Sequence, residues 1–400
     1  MASLLIIVFV NFIGIGALIP VLPFTVVDYL GYSETVMTAL LASFALAMFI
    51  ANPILGQLSD RFGRKPVLVT ALAVNMAAHI WFALSEDIVQ LFLARILAGF
   101  AAGNIGVIQA IITDSTAPEK RAKIMGMLGA SIGAGFVLGP AFGGVLSALG
   151  SGPVHQMPFL VAACFAGVAC ILALRLSETG TQNKSAAAAS RMVSWRLLKN
   201  PQILLFAAAF FCLNLSFAQV EASHVLVLRE LLGFDAQMTG WFFAYIGVMI
   251  IIIQGGLIGR LVAKMGERRV ILGGISLLLA GQLLTAIIAF PVFDETVTIF
   301  VSIIAVTAII CAGFALTNPT LSAASSHIAS EQHRGATLGT VQGCGSLGQV
   351  LGLSLAGPFF ELGGGALSFG FGAVISAFLL GIMLFGIARL GAVRPHPASA

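Results

Sequence analysis

One acidic residue stands deep inside a long apolar stretch of this chain. Glu221 lies near the middle of the apolar run 203–228. A carboxylate at such a position costs about 2.5–3.5 kcal/mol on insertion scales. The cost falls when the group faces a wet cavity or takes up a proton, so Glu221 is a candidate for reversible proton binding, and His224 follows one turn later. A structural polar contact from Glu221 to His224 or Arg95 is the alternative.

Arg95 is the only basic residue inside an apolar run. Gly99, Gly106 and Gln109 fall on its face at helical spacing. Because an unpaired guanidinium in hydrocarbon is costly, this face is expected to line a cavity or to meet a partner. Snorkelling of Arg95 to the interface is the alternative. His79, a second histidine in an apolar run, is either a proton-binding group or a hydrogen-bonded packing residue.

Uncharged polar and aromatic residues also lie within the runs. They could line a binding cavity, or they could form helix–helix hydrogen bonds. The candidates for a cavity are Asn11, Gln109, Asn214, Phe217 and Asn318. The chain has no phosphate-binding loop, metal-ligand set or nucleophile elbow, so we expect no enzyme activity, no metal and no cofactor. The five cysteines lie in apolar runs and are interpreted as packing residues.

The composition indicates what surrounds the surface of this protein. Hydrophobic residues make up 59% of the 400 residues and charged residues only 9%. Soluble domains carry about 25% charged residues, so most of this surface must face lipid. The net charge of +4 does not suggest nucleic-acid binding. The protein is therefore expected to be embedded in a membrane.

Charged and turn residues cut the chain into twelve apolar pieces, and about 20 apolar residues suffice to cross a bilayer. The predicted spans are 4–27, 36–57, 67–84, 89–112, 124–149, 157–175, 201–227, 238–262, 271–290, 297–323, 337–360 and 367–388. The longest break separates an N-terminal six-helix bundle (1–176) from a C-terminal six-helix bundle with a short tail (201–400). The segment 177–200 between them is interpreted as a linker.

The two halves repeat one another. Gly56 and Gly63 follow span 2, and Gly259 and Gly266 follow span 8, each pair being offset by the same 203 residues. An internal repeat of half the chain length is typical of transporters whose site lies between the halves. We predict an all-α membrane protein with twelve helices in two six-helix pseudo-symmetric halves.

The charges predict the orientation of the chain. Of the 20 Lys and Arg residues, 18 lie in the loops after even-numbered spans or in the tail, and on the opposite side there is only Arg229. By the positive-inside rule both termini are expected in the cytoplasm. The loops on the other side are short and acidic, which excludes a large extracellular receptor or enzyme domain.

Four stretches have the character of family motifs: 14–23 in span 1, 56–65 after span 2, 91–103 in span 4 and 135–144 in span 5. They resemble the motifs of the major facilitator superfamily, in particular those of its bacterial drug:proton antiporter branch. The resemblance covers all twelve spans and implies the major facilitator fold. It also implies transport of a small molecule by alternating access, driven by protons, across a bacterial inner membrane.

The resemblance assigns roles to specific residues. It implies a gating loop and ion-pair cluster formed by Gly56, Asp60, Arg61, Gly63, Arg64, Asp114 and Arg121. Plain positive-inside anchoring would explain the basic residues of this set but not its aspartates or glycines. The antiporter motif of span 5 comprises Gly135, Gly139, Pro140, Gly143 and Gly144. Proton coupling falls to Glu221, because multidrug exporters of this branch often carry an acidic residue at this point, with His224, Arg95 and His79 as further candidates.

The chain departs from the pattern of tetracycline exporters, which it otherwise resembles. Those proteins carry acidic residues in spans 1, 3 and 9 and a histidine in span 8. The corresponding positions here are Asn11, His79, Leu277 and Ile250. These changes argue against a metal–tetracycline substrate and leave Glu221 as the acidic group deep in a span.

Three functions remain open at this point. The leading one is a monomeric, proton-coupled exporter of small amphipathic molecules, either drugs or an endogenous product. The first alternative is an uptake symporter or facilitator, against which the span 5 motif argues. The second is a transporter-like sensor or scaffold, which would be expected to carry an added soluble domain.

Overall fold

A computed structural model describes the helices of this chain. The described residues are 2–149, 153–179, 197–290, 296–328 and 334–389. No strand occurs among them. The predicted linker 177–200 lies largely outside these ranges. In order, the helices are Ala2–Ala17 with the π-helix Phe24–Tyr29, Glu34–Phe62, Arg64–Leu84, Ile88–Ala102 with Ile105–Ser115, Pro118–Ser147, Gln156–Leu174, Pro201–Leu232, Ala236–Ile252 with the π-helix Ile253–Leu257 and Ile258–Met265, Glu267–Ile288, Thr296–Ile328 and Arg334–Arg389.

The last helix contains two spans. Gly363 and Gly364 leave helical geometry, and Gly364 has a φ of 59°, a left-handed conformation that glycine adopts readily. The helix is interrupted at these two glycines, between spans 11 and 12. By length and composition alone, ten described helices can cross a membrane. Adding the shorter apolar helix Ser3–Ala17 and dividing the last helix gives the twelve predicted spans.

Polar caps determine where several of the helices begin. Ser33, Asp87, Asn200 and Asp235 each accept a hydrogen bond from the backbone amide two or three residues ahead. Such caps satisfy amides that a helix start leaves unpaired, and each contributes about 1 kcal/mol. At the other end of span 7, Gly233 closes the helix with a φ of 64°. These residues keep the charged loops short.

The repeat predicted from the glycines is visible in the backbone. Gly63 has φ 100° and ψ 153°, and Gly266 has φ 80° and ψ 156°. Each glycine ends the helix of one span and begins the next. Because a positive φ strains other residues, glycine is required at both turns. The two halves therefore reverse direction through the same local structure.

The bundle has two different ends. We call the end that carries residues 28–34, 85–87 and 233–235 the acidic end, and the end that carries residues 60–66 and 264–268 the basic end. The halves contact one another through span 2 against span 11 and span 5 against span 8. Ala42 and Ala45 of span 2 pack with Leu353 of span 11.

The glycines of spans 5 and 8 show how the halves diverge. At the acidic end, a methyl group placed on Gly144 would lie 2.8 Å from the carbonyl oxygen of Ala236 and 2.9 Å from Cα of Gly240. Nearer the middle, Gly247 packs against Val137. Toward the basic end the added methyl groups would meet open space within 4 Å, at Gly126, Gly129, Gly133, Gly255, Gly256 and Gly259. The two helices therefore touch near the acidic end and leave these glycines free toward the basic end.

Candidate functional site

Glu221 has a neutral partner from another helix. Its Oε2 accepts a hydrogen bond of 3.0 Å from the side-chain amide of Gln349 in span 11. Both side chains are half-buried. Within the described part of the chain, Glu221 forms no ion pair with a basic residue. A carboxyl group in this setting has a donor for its ionised form but no fixed counter-charge.

The side chain of His224 points away from Glu221, toward the interior of the C-terminal half. Its Nε2 lies 2.9 Å from the hydroxyl of Thr307. The ring is buried between Phe242 and Phe369, with centroid separations of 5.5 Å to each. The structure therefore does not pair His224 with Glu221, although the two lie on neighbouring turns.

Arg95 is buried and has no counter-ion among the described residues. It is 5% exposed, and its Nε has no hydrogen-bond partner. The guanidinium carbon lies 4.4 Å from the ring centroid of Phe44 in span 2, a cation–π contact. His79 is 1% exposed and packs edge-on against Phe159. Neither Phe44 nor His79 carries a negative charge that could neutralise Arg95.

The predicted cavity residues occupy different surroundings. Asn11 is buried and accepts a 3.1 Å hydrogen bond from Asn75, so it joins spans 1 and 3. Asn214 donates to the carbonyl oxygen of Phe210 on its own helix. Gln109 is exposed and Asn318 half-buried.

Phe217 contributes an aromatic surface one turn before Glu221. Its ring stacks on that of Phe314 in span 10, with centroids 3.7 Å apart. Phe217 is half-buried, as Glu221 is. An aromatic face beside a carboxyl group suits an amphipathic molecule with a ring and a basic group.

A polar network fixes span 7 behind Glu221. Ser216 bonds to Gln282 and Ser376, and Gln219 joins Gly352 and Ser368. All the side chains of this network are buried. Satisfied networks of this kind hold helices in one arrangement. Span 7 is thus anchored to spans 9, 11 and 12, while Glu221 lies on another part of its surface.

The predicted ion-pair cluster forms at the basic end. Arg64 pairs with Asp60 on the preceding turn, and its Nε lies 3.1 Å from Oδ2 of Asp114 in span 4. All three residues belong to the N-terminal half. Arg121, which was predicted to belong to this cluster, forms no ion pair with a described residue, and its Nε donates to the carbonyl oxygen of Thr116.

Glu178 completes this cluster and was not predicted from the sequence. Its carboxylate accepts hydrogen bonds from the backbone amides of Arg64 and Lys65, at 2.8 and 3.1 Å. These amides begin span 3, where the helix dipole favours a negative charge. A side chain at Gly63 would collide with this carboxylate. Glu178 thus ties the end of span 6 to the turn between spans 2 and 3.

The remaining loop residues have separate surroundings. Arg61 lies 5.3 Å from the ring centroid of Phe62 and is exposed. In span 5, Gly135 and Gly139 pack against Phe12 and Ile13 of span 1, and Gly143 faces Ala17. Gly144 instead faces span 8, as described above. The antiporter motif therefore touches span 1 with three of its glycines and the other half with the fourth.

An ionic latch joins the two halves at the acidic end. Arg229 of span 7 lies 3.0 Å from Asp28 and 3.9 Å from Glu34. Beside it, Glu361 accepts a 2.7 Å hydrogen bond from the backbone amide of Thr35. This latch was not predicted from the sequence, although Arg229 stands out there as the one basic residue in the loops of the acidic end.

Replacing Arg229 with Gln should loosen the acidic end. Each exposed ion pair contributes about 0.2–1 kcal/mol, so the loss of both pairs should reduce the population of the closed arrangement relative to the open one by about 2- to 30-fold. Spin labels at Val89 and Met238, exposed residues of the two halves at this end, would report a larger share of long distances. Arg268→Gln at the exposed basic end is the matched control. Identical distance distributions for Arg229→Gln and wild type would show that the latch has no influence.

Comparisons with known proteins agree with this architecture. The family model of the Major Facilitator Superfamily matches residues 4–306 and 255–400. Among solved structures, the nucleoside transporter NupG (D323A mutant) superposes with a TM-score of 0.77 at 16% identity, covering 98% of this chain and 99% of that one. A bacterial homolog to the human lysosomal transporter Spinster, in an inward-facing and unoccupied conformation, also gives 0.77 at 16% identity, covering 99% and 98%.

Curated relatives are drug-resistance proteins. Multidrug resistance protein 2 of Bacillus subtilis (strain 168) is 29% identical over 364 residues, which cover 89% of this chain and 87% of that protein. The class H tetracycline resistance protein of Pasteurella multocida is 32% identical over 294 residues, covering 71% and 72%. The chain therefore belongs to the major facilitator superfamily and is an integral membrane transporter rather than an enzyme.

Proposed function

We propose that this transporter exports small amphipathic molecules in exchange for protons, across a bacterial inner membrane and with both termini in the cytoplasm. The observation that carries the proposal is Glu221, a half-buried carboxyl group with a neutral amide partner and no ion pair to any described residue. Such a group can hold a proton in one state and exchange it for a basic ligand in the other. The multidrug and tetracycline resistance relatives support export.

The proposed orientation indicates to which side of the membrane the bundle is open. If the basic loops lie in the cytoplasm, the halves meet at the outer end and the free glycines of spans 5 and 8 lie toward the cytoplasm. The molecule would then be inward-facing, with Glu221 open to cytoplasmic substrate. The protein would act as a monomer with protons as the driving ion and without a cofactor, and the surrounding lipid would be its only other partner.

Transport into proteoliposomes with an acidic lumen tests the exchange. Purified full-length protein would be reconstituted, and ethidium added outside while lumenal pH is recorded. We expect the probe to accumulate while the lumen becomes more alkaline. Equilibration of a probe without a pH change would indicate a facilitator. Failure of an acidic lumen to drive accumulation, combined with proton-driven uptake in the opposite gradient, would indicate a symporter and contradict export.

A further inference from the structure

We propose that the transported molecule is an amphipathic zwitterion, whose acidic group binds Arg95 and whose basic group binds Glu221. The inference rests on the export function proposed above and narrows its substrate class. It starts from two opposite charges, one on each half of the bundle, that are not paired with each other.

Arg95 lacks the partner that its charge requires. A guanidinium stays protonated at any physiological pH and offers five donors. Within the described residues, Arg95 forms no ion pair, and its Nε is sealed from solvent without an acceptor. Leaving a charge unpaired in the membrane interior is costly. A ligand with an acidic group would remove that cost.

The neighbours of Arg95 position it without neutralising it. The ring of Phe44 supports the guanidinium from one side but supplies no hydrogen-bond acceptor. His79, the titratable group that faces it from span 3, can only add positive charge. Of the guanidinium nitrogens, only Nε is both sealed and unpartnered. The accessible part of the side chain is therefore its outer fork, whose geometry matches a carboxylate.

Glu221 supplies the opposite charge about one helical turn further from the acidic end. At 1.5 Å per residue, Arg95 lies about 10 Å from the acidic end of its helix, which begins at Ile88, and Glu221 lies about 16 Å from the end of its helix at Leu232. Glu221 already accepts from Gln349, so a basic group would add to an existing contact. The stacked rings of Phe217 and Phe314 lie beside it for the apolar body.

A zwitterion also fits proton exchange better than an anion does. An ammonium group stabilises ionised Glu221 and therefore displaces its proton, which is what antiport needs. A simple anion at Arg95 would instead favour the protonated, neutral carboxyl group. The two charges of the substrate would thus have separate tasks, affinity at Arg95 and exchange at Glu221.

A rigid probe with removable charges tests this assignment. The zwitterion 4′-(aminomethyl)biphenyl-4-carboxylate has a cationic methyl ester and an anionic N-acetyl derivative with the same body. Binding to the detergent-purified full-length protein would be measured by equilibrium dialysis, with proton release recorded in parallel. We expect the methyl ester to bind wild type about thirtyfold more weakly than the zwitterion.

Substitution of Arg95 then gives a cycle between ligand and protein. In Arg95→Gln the zwitterion should lose the same factor, while the ester binds as it does to wild type. Arg95→Lys should be intermediate, because it keeps the charge but not the fork. Arg268→Gln, an exposed arginine at the basic end, should change nothing. The comparison of zwitterion and ester in wild type needs no substitution and stands even where a variant fails to fold.

Two results would overturn the inference. One is equal binding of zwitterion and ester, or no binding of the zwitterion, by wild type. The other is an equal loss of both ligands in folded Arg95→Gln, which would make Arg95 a packing residue. Failure of export would look different: an Arg95-dependent zwitterion that releases no proton would keep the binding site and contradict proton exchange. Proton release by an ester that binds as tightly as the zwitterion would support proton exchange and contradict the zwitterion as the substrate.

Discussion

Glu221→Gln should bind an amphipathic cation such as ethidium yet release no proton on binding it. The glutamine retains the size of the side chain and its contact with Gln349, but it cannot ionise. In lightly buffered detergent solution, proton release on adding ethidium should fall to the background of a protein-free sample. Uptake into proteoliposomes with an acidic lumen should lose its dependence on the pH gradient, because coupling requires a difference in proton affinity between the two states.

The matched control for this substitution lies on the same helix. Glu230→Gln also removes a carboxylate from span 7, at an exposed position near the acidic end. It should keep both proton release and gradient-driven uptake. Proton release that persists unchanged in Glu221→Gln would move the coupling group elsewhere. His79 and His224 would then be tested next.

Gly144→Leu and Gly240→Leu should each prevent the halves from meeting at the acidic end. A methyl group alone would already press on the facing backbone, and overpacking of a close contact typically costs about 1–3 kcal/mol. That corresponds to a roughly 5- to 150-fold loss of the closed arrangement relative to the open one. We expect transport to fall accordingly and labels at Val89 and Met238 to separate.

Gly381→Leu serves as the control, because a methyl group at Gly381 in span 12 would meet nothing within 4 Å. It should keep transport and the wild-type distance distribution. If Gly144→Leu transports normally while its labels stay close, the contact between spans 5 and 8 does not govern closure. Reduced thermal stability in detergent, without a change of distances, would point to a folding defect instead.

Periodicity and hydropathy predicted much of the fold because they act along one helix at a time. The twelve spans and the glycine turns at Gly63 and Gly266 are local features, and the structure contains them. That Glu221 lies deep within span 7 could also be read from the sequence. The residue across from it was not, since Gln349 lies 128 positions further along the chain.

The latch and the buried amides show the same limit. Arg229 was visible as an isolated charge, but its pairing with Asp28 depends on how the two halves dock. Asn11 could have faced a cavity or a neighbouring helix, and only the packing of span 3 placed Asn75 against it. The family resemblance named the members of the basic-end cluster, whereas the contribution of Glu178 required knowledge of where span 6 ends.

The glycines of spans 5 and 8 that make no close contact here bear on a second arrangement of the two halves. Val137 meets Gly247 and Gly144 meets Gly240. Continued along both helices, this antiparallel register would bring Gly129 near Gly255, which lies in the π-helix Ile253–Leu257. In alternating access, a surface of small residues such as this one would allow the two helices to approach closely when the halves tilt the other way. Because these glycine positions carry no side chains, the arrangement described here leaves a strip of exposed backbone along spans 5 and 8 toward the basic end.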